Sequence, residues 1–248
     1  MKRTLLIVTL LFLVNSVSIS QTAIKKQALN PNIELIKSAY NAYQNSDYQN
    51  ALNLINDYTD KEKNDYYAYY LRAKIEWLIN SDNVLNDLNK SLNINPNFSD
   101  ALYERALFES GNNKQAALND LYNAIKKSPK GVNISYYYSL RADIDVDLLD
   151  WISVFEDSNK AILLDNTNGN AYRSLAQYYI EKEDFYKAID NCDKAIHIDP
   201  INDAFPFYYR GLAKAKLNKM DSACSDFNMA KRIIKTDQFD DVINKYCK

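Results

Sequence analysis

Residues 169–200, GNAYRSLAQYYIEKEDFYKAIDNCDKAIHIDP, decide how the chain is read. Tyr172, Leu175, Ala176 and Tyr179 recur at helical spacing on one face of a first helix, and Ala188, Cys192 and Ala195 do so on a second. Lys182, Glu183 and Asp184 supply a short polar turn between them. Asp199-Pro200 closes the segment, because proline biases the residue before it away from helix. Two helices joined by so short a turn must approach closely where their ridges cross, which requires small residues at Ala176, Ala188 and Ala195. Such a pair exposes an apolar face it cannot bury alone, so it predicts neighbours of its own kind.

Those neighbours are present. The small first-helix position recurs as Ala39, Ala73, Ala106, Ala142, Ala176 and Gly211, in steps of 34, 33, 36, 34 and 35 residues. Aromatic, Leu, small and Tyr on the first helix, Ala, a bulkier apolar residue and Ala on the second, then a final Pro, resemble the tetratricopeptide repeat (TPR). The resemblance covers nearly all of the chain after residue 31. It implies an all-α fold, a right-handed α-solenoid of about six helix pairs over 32–248, with repeats near 32–65, 66–98, 99–134, 135–168, 169–203 and 204–236.

Pro31 is placed to begin the first helix, and Pro96 and Pro129 end the second and third repeats as Pro200 ends the fifth. The fourth departs most. Asp145 stands where the fifth has Tyr179, Val154 and Ser158 replace Ala188 and Cys192, and Asn166 replaces the proline, while Tyr138, Ala142, Trp151 and Ala161 keep their places. Beyond the sixth, Phe239, Val242, Ile243 and Tyr246 predict a closing helix over 237–247, begun by Thr236 or Asp237, that covers the last apolar face.

The first thirty residues differ in kind. Lys2-Arg3, an apolar run from Leu5 to Val14 and the small-polar SVSIS before Gln21 predict a secretory signal peptide over 1–20, cut after Ser20 or after Ser16. The alternative, an uncleaved anchor, has too short an apolar run for the ~20 residues a spanning helix needs. Residues 21–31 read as a flexible lead-in. The mature chain is then expected to be soluble, in the periplasm or outside the cell, with no stable membrane insertion.

With 47% hydrophobic and 25% charged residues the composition is that of a globular protein, and a net charge of −2 carries no basic bias toward nucleic acid. His197 is the sole histidine, near the end of a second helix, where it suits the helix dipole and leaves any triad without support. Gly111, Gly131, Gly169 and Gly211 are too dispersed for a phosphate loop. Asp143, Asp145 and Asp147 resemble the opening of a calcium loop, but Leu148 and Val154 stand where glycine and glutamate are required, and a helix would splay the three carboxylates. No cofactor or metal is called for.

The implied fold brings the helices of Cys224 and Cys247 together, either as a disulfide that staples the closing helix or as two buried thiols; Cys192 reads as a buried free thiol. Arg72, Arg105, Arg141 and Arg210, each just before the small position, suggest either a ladder of anion sites or stems laid along a neighbouring helix with heads reaching water or a carboxylate.

TPR proteins generally bind proteins on the surface lined by their first helices, so the resemblance implies a binding groove and no catalytic centre. First-helix positions not expected to pack are Tyr40, Tyr43, Tyr70, Lys74, Trp77, Tyr103, Asp143, Asp147, Arg173, Gln177 and Tyr208. The first three repeats offer aromatics suited to a peptide or helix of a protein partner; the fourth and fifth offer charge and amide groups. The resulting expectation is a non-enzymatic interaction scaffold of the bacterial envelope. Sugar stacking on Tyr70, Trp77 and Tyr103 is the alternative.

Overall fold

The structure, a computed structural model, describes residues 33–235 and 237–247. The expected signal peptide, the lead-in with Pro31, and Thr236 lie outside the described residues. Among the described residues there are thirteen α-helices and no strand. None of these helices is long and apolar enough to cross a membrane.

The chain forms two compact units, one ending at Ser128 and the other beginning at Pro129. The N-terminal unit holds α1 (Ile33–Gln44), α2 (Tyr48–Lys61), α3 (Tyr66–Leu78), α4 (Val84–Ile94), α5 (Ser99–Glu109) and α6 (Lys114–Lys127). The C-terminal unit holds α7 (Ile134–Asp147), α8 (Trp151–Leu164), α9 (Gly169–Glu181), α10 (Phe185–Ile198), α11 (Phe205–Lys216), α12 (Met220–Ile233), a 3-10 turn (Asp237–Phe239) and α13 (Asp240–Tyr246). In each unit consecutive helices pack as pairs, and each second helix packs on the first helix of the next pair. The first helices α7 and α9, and α9 and α11, also touch each other.

The expected small positions sit where helices cross. Ala39, Ala106, Ala142 and Ala176 are fully buried, as are Ala51, Ala117, Ala188 and Ala223 on the second helices. Gly211 occupies the sixth such position because Phe227 fills the space: a Cβ there would lie 2.5 Å from the Phe227 ring. Four of the six second helices start on side-chain caps, with Asp47, Asn113, Asp150 and Asp184 accepting from Asn50, Ala116, Ser153 and Lys187 N–H. Five of the turns before the second helices share one closure. A left-handed residue, Ser46, Asn80, Leu149, Glu183 or Asn218, is followed by an N–H that reaches back to the carbonyl of Ala42, Glu76, Asp145, Tyr179 or Lys214.

Loss of the proline at Asn166 leaves the fourth repeat closed all the same. Asp165 accepts from Thr167 N–H, as Asn95 does from Asn97 and Asp199 from Ile201, so an Asx turn makes the bend. The closing helix starts three residues later than expected, after the 3-10 turn. Phe239 is buried with Phe207 and Ile234, and Tyr246 stacks on Phe227 at 5.9 Å. Cys224 and Cys247 form a disulfide, which ties α13 to α12, and Cys192 is a free, buried cysteine.

The arginines settle as carboxylate partners inside each pair. Arg72 grips Asp87 with Nε and Nη2 at 2.5 and 2.7 Å, and Arg105, Arg141 and Arg210 hold Asp120, Asp157 and Asp226 in the same two-pronged way. The first and fifth pairs lack both partners: Ser38 and Leu175 stand at the arginine position, Leu54 and Asn191 at the aspartate position. Both members are absent together because either charge alone would be left buried and unpaired.

Four residues after the arginine stands a second acid in three pairs: Glu76, Glu109 and Asp145. Burial first, and the charge of Asp87 second, raise the Glu76 carboxyl to about 7. Burial and then Asp157 do the same to Asp145, also to about 7.

Candidate partner-binding surfaces

In the N-terminal unit, α1, α3 and α5 bring Tyr40, Tyr43, Trp77 and Tyr103 to half-buried positions. Between them lies a charge pair: Lys74 Nζ is 3.2 Å from Glu104 Oε1, and 5.5 and 6.0 Å from the ring centres of Tyr70 and Tyr43. Burial opposes the Lys74 ammonium, but Tyr70, Glu104 and Tyr43 outweigh it and shift its pKa upward. The surface is therefore aromatic with a neutralised ion pair in its floor.

Tyr70 departs from expectation. It is only 6% exposed, because Phe98, at the start of α5, packs against its ring edge-on at 4.9 Å. Lys74 is likewise committed to Glu104 and is not a free contact. Trp77 meets Phe108 at 5.3 Å and 90°. Phe98 and Phe108 were not among the expected residues; Phe98 ends an interhelical turn and Phe108 lies late in α5, and both fix rings on α3 from the next repeat. A sugar needs open ring faces, and buried Tyr70 offers none.

In the C-terminal unit the expected polar half is mostly sealed. Arg173 is 8% exposed and lies between two carboxylates, with Nη2 2.6 Å from Asp143 Oδ2 and Nη1 2.7 Å from Asp203 Oδ2. Ser174 Oγ donates to Asp143 Oδ1 at 2.5 Å. Burial opposes the guanidinium's charge, but Asp143 and Asp203 outweigh it and raise its pKa. Asp203 was missed because it belongs to the turn before α11, where it also accepts from Phe205 N–H. Tyr208 was expected in the groove, yet the closing segment takes it up: its ring is 5.4 Å from Phe239 and 6.2 Å from Phe227. Gln177 is half-buried and Asp147 exposed.

The remaining sequence candidates are dispersed. His197 is exposed on the last turn of α10. Asp143, Asp145 and Asp147 diverge around α7, the first toward Arg173, the second buried, the third in solvent. Among the described residues no group of three His, Cys, Asp or Glu side chains could hold a metal ion.

No protein-family model and no curated protein matches the chain. Solved structures do. PilW, described as a widely conserved type IV pilus biogenesis factor, superposes with a TM-score of 0.73 at 13% identity, over 87% of this chain and 99% of that one. A tetratricopeptide repeat protein from Parabacteroides merdae gives 0.62 at 19% identity, over 91% and 87%. The fold is that of the tetratricopeptide repeat. YrrB, a TPR protein described as having an unusual peptide-binding site, gives 0.54 at 15% identity, over 77% of this chain and 97% of its own. At such identities the likeness to these TPR structures is one of fold.

Proposed function

We propose that the chain is a non-enzymatic interaction scaffold of the cell envelope, whose N-terminal unit takes a peptide or helix of a partner protein against the first-helix face. The observation that carries this is the set of half-buried rings, Tyr40, Tyr43, Trp77 and Tyr103, around a Lys74–Glu104 pair already satisfied within the chain. Tyrosine and tryptophan contribute large apolar contact area while keeping a polar handle. Their neighbours hold them in place: Tyr43 packs on Tyr40 and Tyr48, and Trp77 on Phe108. Little side-chain freedom is then lost on binding. Because Lys74 and Glu104 neutralise each other, the floor favours apolar and aromatic groups over a charged one.

On the C-terminal unit's own first-helix face Gln177 and Asp147 remain accessible, with Asp143, Arg173 and Tyr208 shaping that surface from within. Export rests on the motif in residues 1–20. The peptide-binding description of YrrB and the pilus-biogenesis description of PilW belong to those proteins; they support a binding surface on this fold here.

The test has two steps. A photoreactive amino acid at Tyr103 in cells should capture a defined peptide of one partner, identified by mass spectrometry. A synthetic copy of that peptide should bind the purified chain, and Trp77→Ala and Tyr103→Ala should each weaken it at least tenfold with the helical circular dichroism unchanged. Full affinity in both variants would overturn the site, and a cytoplasmic location on fractionation would overturn the envelope.

A further inference from the structure

The turn between α7 and α8 breaks the pattern of its counterparts. At the left-handed position the equivalent turns carry Ser46, Asn80, Glu183 and Asn218, whereas this one carries Leu149, with φ of 60° and 69% of its surface exposed. A bulky side chain disfavours that backbone region, and asparagine or glycine would relieve it. Leu148 beside it is 49% exposed, and Ile152 and Phe155, on one face of α8, are 75% and 38% exposed. The corresponding residues of the fifth pair are Lys182, Glu183, Tyr186 and Ile189. The fold gains little from exposing Leu148, Leu149 and Ile152, one of them on a disfavoured backbone, while Phe155 beside them is partly covered by Tyr178 at 4.9 Å. A gain on contact with another molecule accounts for them.

Charge specifies that molecule. Between Arg141 and Lys160 the chain carries six carboxylates and no cation. Three of them, Asp147, Asp150 and Glu156, are exposed beside the leucines and isoleucine. Asp150 is held below the usual carboxylate range by hydrogen bonds from Ser153, so this carboxylate stays ionised into mild acid. Lys182 lies over the ring of Tyr178 that packs on Phe155. An apolar tip with an acidic rim repels anionic lipid and fits apolar residues flanked by lysine or arginine.

We propose that the α7–α8 tip, Leu148, Leu149, Ile152 and Phe155, is a second docking surface, and that its occupant is a cationic amphipathic helix of another protein. It is independent of the aromatic surface of the N-terminal unit.

The test uses the full chain and two fluorescent amphipathic peptides, about 18 residues long so that a helix can form. One is built of leucine and lysine, the other of leucine and glutamate, and binding is read by anisotropy. The lysine peptide should bind, weaken as salt rises from roughly 50 to 300 mM, and exceed the glutamate peptide at least tenfold. Leu149→Asn with Ile152→Asn should weaken it at least tenfold without lowering the melting temperature, and Tyr103→Ala should leave it unchanged. If the double variant melts lower, Ile152→Asn alone is read, with the same loss of affinity expected. Equal binding by the variant would show charge alone at work, and equal binding of the glutamate peptide would show apolar contact alone; either overturns the proposal. So would no binding of the lysine peptide, variant-sensitive binding to anionic vesicles, or variant-sensitive self-association of the free chain.

Discussion

The two units make the corresponding inter-repeat contact with different chemistry. In the N-terminal unit Lys74 on α3 reaches Glu104 on α5 at 3.2 Å. At the corresponding positions of the C-terminal unit, Asp143 on α7 accepts from Ser174 on α9 at 2.5 Å and is held by Arg173 beside it. Arg173 in turn occupies the position of Tyr70. One position therefore supplies an aromatic ring in one unit and a doubly paired guanidinium in the other. Helix-pair geometry fixes that these residues meet. It does not fix whether they present a ring or close the surface with charge, and that choice separates a face suited to a partner from one filled by the chain itself.

Removing each cation tests this contrast. Arg173→Ala leaves Asp143 and Asp203 without the cation they share, and breaking a buried pair in this way costs about 3–5 kcal/mol. Lys74→Ala strands a single carboxylate, Glu104, and the expected loss is smaller. Urea denaturation should show the larger fall in midpoint for Arg173→Ala, with faster amide exchange in α9 and α11. An equal or larger loss from Lys74→Ala would mean that the two contacts are energetically alike.

The small positions made the helix pairs legible because their requirement is steric and local to two helices. Exposure on the first helices was less legible. Tyr70 and Tyr103 hold the same position in successive repeats, yet Phe98 buries Tyr70 while Tyr103 stays half-buried. Tyr208, again at that position, is covered by Phe239 of the closing segment. In each case the covering residue comes from the next element, which helical periodicity does not address. The arginine–aspartate pairs could have been read: an aspartate follows each of Arg72, Arg105, Arg141 and Arg210 by 15 or 16 residues, and both disappear together in the first and fifth repeats.

The pairing of Gly211 with Phe227 belongs to the same class of coupled positions. Every other repeat carries alanine at the small position, so Gly211→Ala looks conservative. Its Cβ would nevertheless stand 2.5 Å from one ring atom of Phe227 and 2.7 Å from the next. The ring is held by Tyr246 and Tyr208 and cannot swing away freely. The expected destabilisation is about 1–3 kcal/mol. Phe227→Leu, which restores the side chain used at Leu121, should recover part of it in the double variant, as denaturation midpoints would show. A neutral Gly211→Ala would mean that α11 and α12 can part without cost.

Proton linkage gives the smallest effect and one on which the units differ in number. Glu76 and Glu109 in the N-terminal unit and Asp145 in the C-terminal unit each share an arginine with a second carboxylate, and burial above all raises their pKa values. The fifth and sixth pairs carry Tyr179 and Lys214 instead. An unfolded glutamate titrates near 4.3. The folded Glu76 carboxyl titrates at about 7. Its protonated form is therefore favoured by folding, and the stabilisation is complete below the unfolded value and is lost as pH rises through the folded one. Glu76→Gln is neutral throughout and should remove a fall in stability on the order of 1–2 kcal/mol between about pH 4 and pH 7. Asp145→Asn should do the same for α7 and α8. Urea denaturation at several pH values, with amide exchange read separately in α3–α4 and α7–α8, distinguishes the contributions. A pH dependence unchanged in both variants would place the titrating groups elsewhere, whereas loss of the slope in α3–α4 alone would show that Asp145 does not couple to folding in this range.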